Sequence, residues 1–152
     1  MALSADASYT TQDYDRRGNM PMVVKASSVV YNGALCSHDT TAGEIKPFDG
    51  TQGDRLVGFH FGDTVTGNSS APRTKAQIRP GGFAFIDLTV GGLANTSADY
   101  GKPVWATDDG TFSVTDAGTG GSEVGFVMAD DSRSTGKAKV FIRPDIFARI
   151  DS

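Results

Sequence analysis

The sequence predicts an all-β protein, and its composition and its internal order both indicate this. Glycine is abundant, with 19 residues among 152, whereas leucine is scarce and valine, threonine and phenylalanine are frequent. Such a composition favours strands joined by tight turns. The chain also repeats itself, because Ile78 to Asp87 and Ile142 to Asp151 both read I-R-P-x-x-F-A-x-I-D. We therefore expect a small β-barrel or sandwich-like body built from two internally repeated halves, with an extended N-terminal arm.

Further matches at one nearly constant spacing indicate an internal duplication. Val57-Gly58-Phe59 recurs as Val124-Gly125-Phe126, and a repeated unit is one supersecondary piece used twice. We place the halves at about 31–87 and 100–151, within a single β domain of residues 22–152 that follows an arm of residues 1–21. The same spacing relates three further positions of the first copy, Gly43, Asp49 and Gly53, to Gly110, Asp116 and Gly120.

Charge and apolar patterning exclude two classes of partner. The formal net charge is -4 and no run of lysine or arginine offsets it locally, so the chain offers no positive field for phosphates. We therefore expect no nucleic acid partner. No apolar stretch is long enough to cross a bilayer, and Met1 to Asp6 lacks the basic start and apolar run of a secretory signal. We expect no membrane association.

The N-terminal arm is the first element in chain order. Residues 1 to about 20 are polar and show neither the period of a strand nor that of a helix. We interpret them as an extended segment outside the folded body that lies across a neighbouring molecule. Tyr9 and Tyr14 would supply rigid contact area, and Arg16 and Arg17 would pair with acidic groups. A loose tail without a role is the alternative.

Strands and turns alternate through the first half. Residues 22–26 and 28–31 resemble strands, and the Asn32-Gly33 pair that follows is a strong turn and hairpin signal. A second turn falls at Thr41 to Glu44, and residues 49–54 form a polar glycine loop. The single cysteine, Cys36, has no partner for an internal disulfide, and we expect it to be a small buried side chain.

The strand that begins at Leu56 carries the predicted core. Its bulky residues Val57, Phe59 and Phe61 alternate onto one face, which leaves His60 on the other face toward solvent or a neighbouring subunit. We expect this triplet to share one core with its counterparts in the second copy, with Phe59 and Phe126 among the buried residues. The counterparts are Val124, Phe126 and Met128.

The remaining elements complete the two halves. A polar connection of residues 62–74 leads to strands at 75–79 and 83–90. In the second half, residues 103–107 and 111–115 form a hairpin whose turn is Asp108-Asp109-Gly110. A late strand covers residues 137–142, and the match to the first copy favours another strand at 145–150.

No set of residues predicts a catalytic, cofactor or metal site. Ser37-His38-Asp39 contains the residue types of a hydrolytic triad, but neighbouring residues in a strand point to opposite faces. The paired aspartates do not match the Ca²⁺-loop pattern, and the glycine pairs match no phosphate-binding motif. We therefore expect a protein that is not an enzyme and that needs no cofactor.

Four segments of the second copy resemble the capsid cement, or head decoration, proteins of tailed bacteriophages. These segments are Gly101-Lys102-Pro103-Val104-Trp105, Gly110 to Thr115, Val124 to Val127 and Lys139 to Ile142. The resemblance implies a non-enzymatic protein that binds the outer surface of the head and locks neighbouring capsid subunits together. Its partners would be the major capsid protein and itself, as a homotrimer or alternatively a dimer. It would reside on the virion, after assembly in the host cytoplasm.

A carbohydrate-binding β module is the alternative from a different class. Trp105 and Tyr100 lie close together in the sequence, and aromatic rings of this kind stack on sugars. A single tryptophan beside a turn is also common in a protein core. Retention on a polysaccharide would distinguish this alternative from head binding.

Overall fold

The computed structural model describes residues 2–6, 19–81, 86–132 and 136–146, with the backbone alone for 130–132. This part of the chain is nearly all β, as predicted, and its one helical element is a 3-10 turn at Ser97–Asp99. The strands of the first half are β1 (Met20–Val23), β2 (Val29–Val30), β3 (Leu35–Asp39), β4 (Glu44–Pro47), β5 (Arg55–His60), β6 (Val65–Thr66) and β7 (Lys75–Arg79). The strands of the second half are β8 (Ile86–Gly91), β9 (Pro103–Ala106), β10 (Phe112–Ser113), β11 (Ser122–Ser132) and β12 (Lys137–Ile142).

Ten of these strands form two assemblies of five. The N-terminal sheet has the order β1-β7-β5-β3-β4, and the C-terminal barrel has the order β8-β12-β11-β9-β10. Neighbours are antiparallel, except that β10 pairs in parallel with β8 and so closes the barrel. A single parallel bridge between Val24 and Ile45 joins the two edges of the N-terminal sheet in the same way. Both halves therefore follow one plan.

Hydrogen bonds outside the ladders support the duplication. Gly33 N–H donates to the His60 carbonyl at 2.7 Å, and His60 N–H donates to the Ala34 carbonyl at 2.9 Å. The second half repeats this pair of bonds: Gly101 N–H reaches Val127 at 2.7 Å, and Val127 N–H reaches Lys102 at 2.9 Å. The repeated sequence thus folds as a repeated structure.

Strand pairing moves the boundaries of the halves. We expected the first copy to include the strand after residue 83, but β8 pairs with β12 and belongs to the C-terminal barrel. Its counterpart in the N-terminal sheet is β1, which pairs with β7. The two halves therefore begin at Met20 and Ile86. The body also begins two residues earlier than the predicted residue 22.

A β-bulge in each half overturns the predicted alternation of side chains. Cys36 lies opposite Gly58 and Ser37 opposite Leu56, so Val57 is the extra residue of β5. The barrel has the same irregularity, with Val124 as the extra residue of β11. Because a bulge shifts the residues after it to the other face, Val57 and Phe59 do not share one face.

Two hydrophobic clusters result from this geometry. The N-terminal cluster contains Val57, whereas the shared cluster contains Phe59, Phe61 and Val124 and draws residues from both halves. The expectation of one core for both triplets is therefore wrong for Val57. It is also wrong for Phe126, which is half-buried, and for Met128, which is 47 % exposed.

A two-stranded ribbon distinguishes the first half from the second. β2 pairs with β6, which lies in the connection that we expected to be irregular. The predicted turn at Asn32-Gly33 is present, with Ala34 N–H donating to the Tyr31 carbonyl at 3.1 Å. It joins strands of different sheets and therefore does not close the expected hairpin. The strand predicted at 145–150 lies mostly outside the described residues.

Candidate interaction surface

The four arm residues predicted to bind a partner, Tyr9, Tyr14, Arg16 and Arg17, lie outside the described residues. Both ends of the arm are described. Met20 begins β1, and residues 2–6 lie against the body. Leu3 packs against the N-terminal cluster, and its N–H donates to Asp109 Oδ1 at 2.9 Å. Asp6 accepts hydrogen bonds from Asn32 N–H and Thr64 Oγ1. The expectation that residues 1–21 lie outside the body is therefore wrong for these two segments.

Asp109 lies where the N-terminal segment meets both halves. Its carbonyl accepts the Leu35 N–H at 3.0 Å, and its side chain holds Leu3. The residue is 3 % exposed. Burial raises the pKa of the Asp109 carboxyl from 3.8 to about 6, and Asp108 next to it adds to the rise. The predicted turn therefore contains a buried carboxyl whose charged form is disfavoured.

Other buried carboxylates have local structural partners. Asp99 accepts the N–H groups of Ala94 and Asn95 and the Lys102 ammonium at 2.8 Å. The Lys102 hydrogen bond is the largest influence that lowers the pKa of Asp99, to about 2. These contacts fix the loop that places Tyr100 beside β11. Asp39 pairs with Lys25 at 2.6 Å, which holds its pKa well below the usual range.

His60 and Cys36 are both buried. His60 is 1 % exposed, which corrects the expectation that it faces solvent or a subunit. Its Nδ1 accepts the Gln77 N–H at 3.1 Å, and its Nε2 lies 2.8 Å from the Asp63 carbonyl. Cys36 is fully buried as predicted, and burial raises the pKa of its thiol. Among the described residues, no group of three or more His, Cys, Asp or Glu side chains could hold a metal ion.

In the described part of the chain, the two most exposed large apolar side chains lie on or beside β11 of the barrel. Pro103, Phe126 and Phe141 lie side by side across β9, β11 and β12, and directly paired residues share one face of a sheet. Met128 and Tyr100 add exposed area, at 47 % and 50 %. Hydrogen bonds from Gly101 and to Lys102 hold the Tyr100 loop against Val127. We call these five residues, Tyr100, Pro103, Phe126, Met128 and Phe141, the β11 face.

Arg143 fixes the centre of this face. Its guanidinium carbon lies 5.7 Å from the centroid of the Phe126 ring. The same guanidinium pairs with Glu123 and Asp145, each at 2.9 Å. Since these pairs neutralise its charge, Arg143 covers part of the ring without making the face strongly cationic. Sequence reasoning missed the β11 face because it placed Phe126 and Met128 in the core.

Comparison with other proteins assigns no family. No known family model matches the chain, and no curated protein matches it. Within the described ranges, no helix is long and apolar enough to cross a membrane.

Proposed function

We propose that the protein is a head decoration protein, or capsid cement, of a tailed bacteriophage. It binds the outer surface of the capsid and bridges neighbouring capsid subunits, and it catalyses no reaction. Its partners are the major capsid protein and further copies of itself, as a homotrimer or alternatively a dimer. Its place is the outside of the virion, after assembly in the host cytoplasm.

One observation carries this proposal. The four segments that resemble capsid cement proteins fall on adjoining strands of one closed barrel: they contain most of β9, all of β10, part of β11 and the end of β12. Two glycines of these segments have structural roles. Gly101 has a φ of 81°, and Gly125 lies against the Phe141 carbonyl. The best-matching segments of the resemblance are thus neighbours in one structural unit, while the first copy fits the pattern more loosely.

The surface of the molecule suits a role in binding other proteins. The β11 face offers aromatic and thioether groups, which are favoured at protein interfaces. The two ends of the arm are attached to the body at Leu3 and Met20. We propose that Tyr9, Tyr14, Arg16 and Arg17, which lie between them, contact the capsid. Several weak contacts of this kind can hold a protein firmly on a repetitive shell.

Binding to undecorated, expanded phage heads tests the proposal. The purified protein is titrated onto the heads, and bound copies are counted after sedimentation. We expect saturation at a fixed number of copies per head. We also expect decorated heads to release their genome, or to disrupt, at a higher temperature than undecorated heads. A variant at an exposed position of β8, Thr89→Ser, is the matched control and should bind equally. Absence of saturable binding at micromolar protein would contradict the proposal.

A carbohydrate-binding module is the second candidate, because Tyr100 is half exposed and Trp105 is partly exposed. Both rings could stack on a sugar. Retention on a polysaccharide column would support this candidate if Tyr100→Ala abolished retention and Thr89→Ser did not. Saturable head binding without any polysaccharide retention would exclude it.

A further inference from the structure

The contact between the two halves uses one outer face of the N-terminal sheet. Five side chains of this half lie in the shared cluster with residues of the barrel. The Phe59 ring lies 6.1 Å from the ring of Phe112 in β10, measured between centroids. The Leu35 N–H donates to the Asp109 carbonyl of the β9–β10 turn at 3.0 Å. The five residues are Leu35, Phe48, Leu56, Phe59 and Phe61.

The equivalent positions of the barrel lie on and around the β11 face. Strand register matches Leu35 with Pro103, Leu56 with Glu123 and Phe59 with Phe126, because the ladders share one bulge. The repeat spacing matches Phe48 with Thr115 and Phe61 with Met128. None of the five barrel residues is buried. The barrel thus presents to solvent the face that the N-terminal sheet uses for docking.

On the opposite side of the contact, the first half is exposed at one of two equivalent positions and buried at the other. Ile86 at the start of β8 is fully buried in the shared cluster, whereas its equivalent at the start of β1, Met20, is 37 % exposed. The equivalent of Phe112 is Ile45, which is buried with Val30 of β2 in the N-terminal cluster. The neighbouring residue of β2, Val29, is 36 % exposed. We call Met20 and Val29 the acceptor surface.

These two surfaces are the places at which the described chain exposes large apolar side chains. Tyr100 and Met128 lie on the β11 face, and Met20 and Val29 form the acceptor surface. We infer that the β11 face of one molecule binds the acceptor surface of a second copy, and so repeats between chains the contact that joins the two halves within a chain. Such an interface is heterologous, so it closes into a ring, such as a trimer, or continues as a filament.

Substitutions on the two sides separate this arrangement from a face-to-face dimer. Met128→Lys alters the β11 face and Met20→Lys alters the acceptor surface, while Thr89→Lys adds the same charge elsewhere. The full chain and each variant are studied by sedimentation velocity up to millimolar concentration. We expect the wild type and Thr89→Lys to associate. Each of the other two variants alone should dissociate on the order of 10- to 100-fold more readily, which is the effect of losing an interface anchor.

Mixing the two defective variants gives the most specific readout. In a heterologous interface, Met20→Lys retains an intact β11 face and Met128→Lys retains an intact acceptor surface. The equimolar mixture should therefore form heterodimers and stop there. Tyr100→Lys and Val29→Lys serve as the second pair if circular dichroism shows that either methionine variant has lost its fold.

Three outcomes would overturn the inference: a wild-type protein that stays monomeric, a Met20→Lys variant that still self-associates as the wild type does, or a mixture that forms no heterodimer. None of these measurements involves phage heads. Association of the expected kind without head binding would leave the inference in place and remove the proposed function.

Discussion

Two equivalent glycines, one in each half, leave no room for a side chain. A Cβ atom built on Gly58 would lie 2.1 Å from the Arg79 carbonyl oxygen, and one built on Gly125 would lie 2.0 Å from the Phe141 carbonyl oxygen. Both glycines follow the bulged residue of their strand. The backbone carbonyl they meet cannot move without breaking the ladder, so each bulge requires the absence of a side chain.

Gly58→Ala and Gly125→Ala should therefore each lower the free energy of unfolding by about 3 kcal/mol or more. Gly43→Ala is the matched control, since Gly43 has a φ of 74° but no atom within 4 Å of its Cβ position. It should cost only about 1 kcal/mol for the left-handed backbone. Urea unfolding of the three variants provides the measurement. Equal losses at all three positions would show that the carbonyl contacts are unimportant.

Asp109 should make stability depend on pH. Its folded pKa is raised from 3.8 to about 6, so its favourable contribution is complete below pH 3.8 and is lost as the pH rises through 6. This change corresponds to about 3 kcal/mol. The Asp109→Asn side chain does not ionise and so does not lose this stability. The melting temperature of the variant minus that of the wild type should therefore be larger at pH 7.5 than at pH 4. A difference that does not change with pH would refute this account.

At the scale of elements, the two equivalent phenylalanines have different surroundings. Phe59 is fully buried and contacts the rings of Phe61 and Phe112, whereas Phe126 is half-buried beneath Arg143. Phe59→Ala should lower the free energy of unfolding by about 3–5 kcal/mol. Phe126→Ala should lower it by less than about 2 kcal/mol, because the Phe126 ring buries less apolar area on folding. Chemical denaturation tests the difference. Equal costs would mean that Phe126 belongs to the core after all.

In the N-terminal segment, we expect Leu3 to contribute to stability and the residues between Leu3 and Met20 to contribute to head binding. Leu3→Ala removes a side chain packed on the N-terminal cluster and should lower the melting temperature by a few degrees, since about 1 kcal/mol shifts a small domain by a few degrees. Replacement of Tyr9, Tyr14, Arg16 and Arg17 by serine should leave the melting temperature nearly unchanged and weaken binding to phage heads. Undiminished head binding by the serine variant would show that these residues form a tail without a role.

Most strands and turns could be predicted from the sequence, because composition, turn residues and repetition are local signals. The β9–β10 hairpin, β7 and β12 agree with their predicted positions. Face assignments failed at the bulges, although a glycine inside a strand often marks a bulge and Gly58 and Gly125 stand directly after the extra residue. The bulge places Phe59 and Phe126 on equivalent faces, but only Phe59 and Phe61 are covered by the other half, so the prediction that Phe126 and Met128 lie in the core failed.

Identical residues of the sequence repeat are not always equivalent in the structure of the two halves. Ile78-Arg79 matches Ile142-Arg143 in sequence, but Arg79 lies opposite Phe59 and Phe141 lies opposite Phe126. In the structure, Arg79 is therefore equivalent to Phe141, which lies two residues before Arg143, its match in the sequence repeat. The predicted boundaries of the two halves were wrong for a similar reason. Only the pairing of β1 with β7 and of β8 with β12 shows to which half β1 and β8 belong.

At the scale of the whole molecule, the halves are similar in plan but unequal in role. The shared cluster takes its members from the outer face of the N-terminal sheet and from the interior of the barrel. Neither half can lose the other without exposing this cluster to water. The structure therefore couples the two halves through burial.

The chain carries one thiol and one indole, and each half contains one of them. Cys36 is buried in β3 of the first half, and Trp105 lies on β9 of the second. A buried thiol reacts with a disulfide reagent only when its surroundings open, while the fluorescence of Trp105 reports on the barrel. Because burial couples the halves, both optical signals should change at the same urea concentration. Two separated midpoints would reveal a half-folded species, and the order of the midpoints would identify which half opens first.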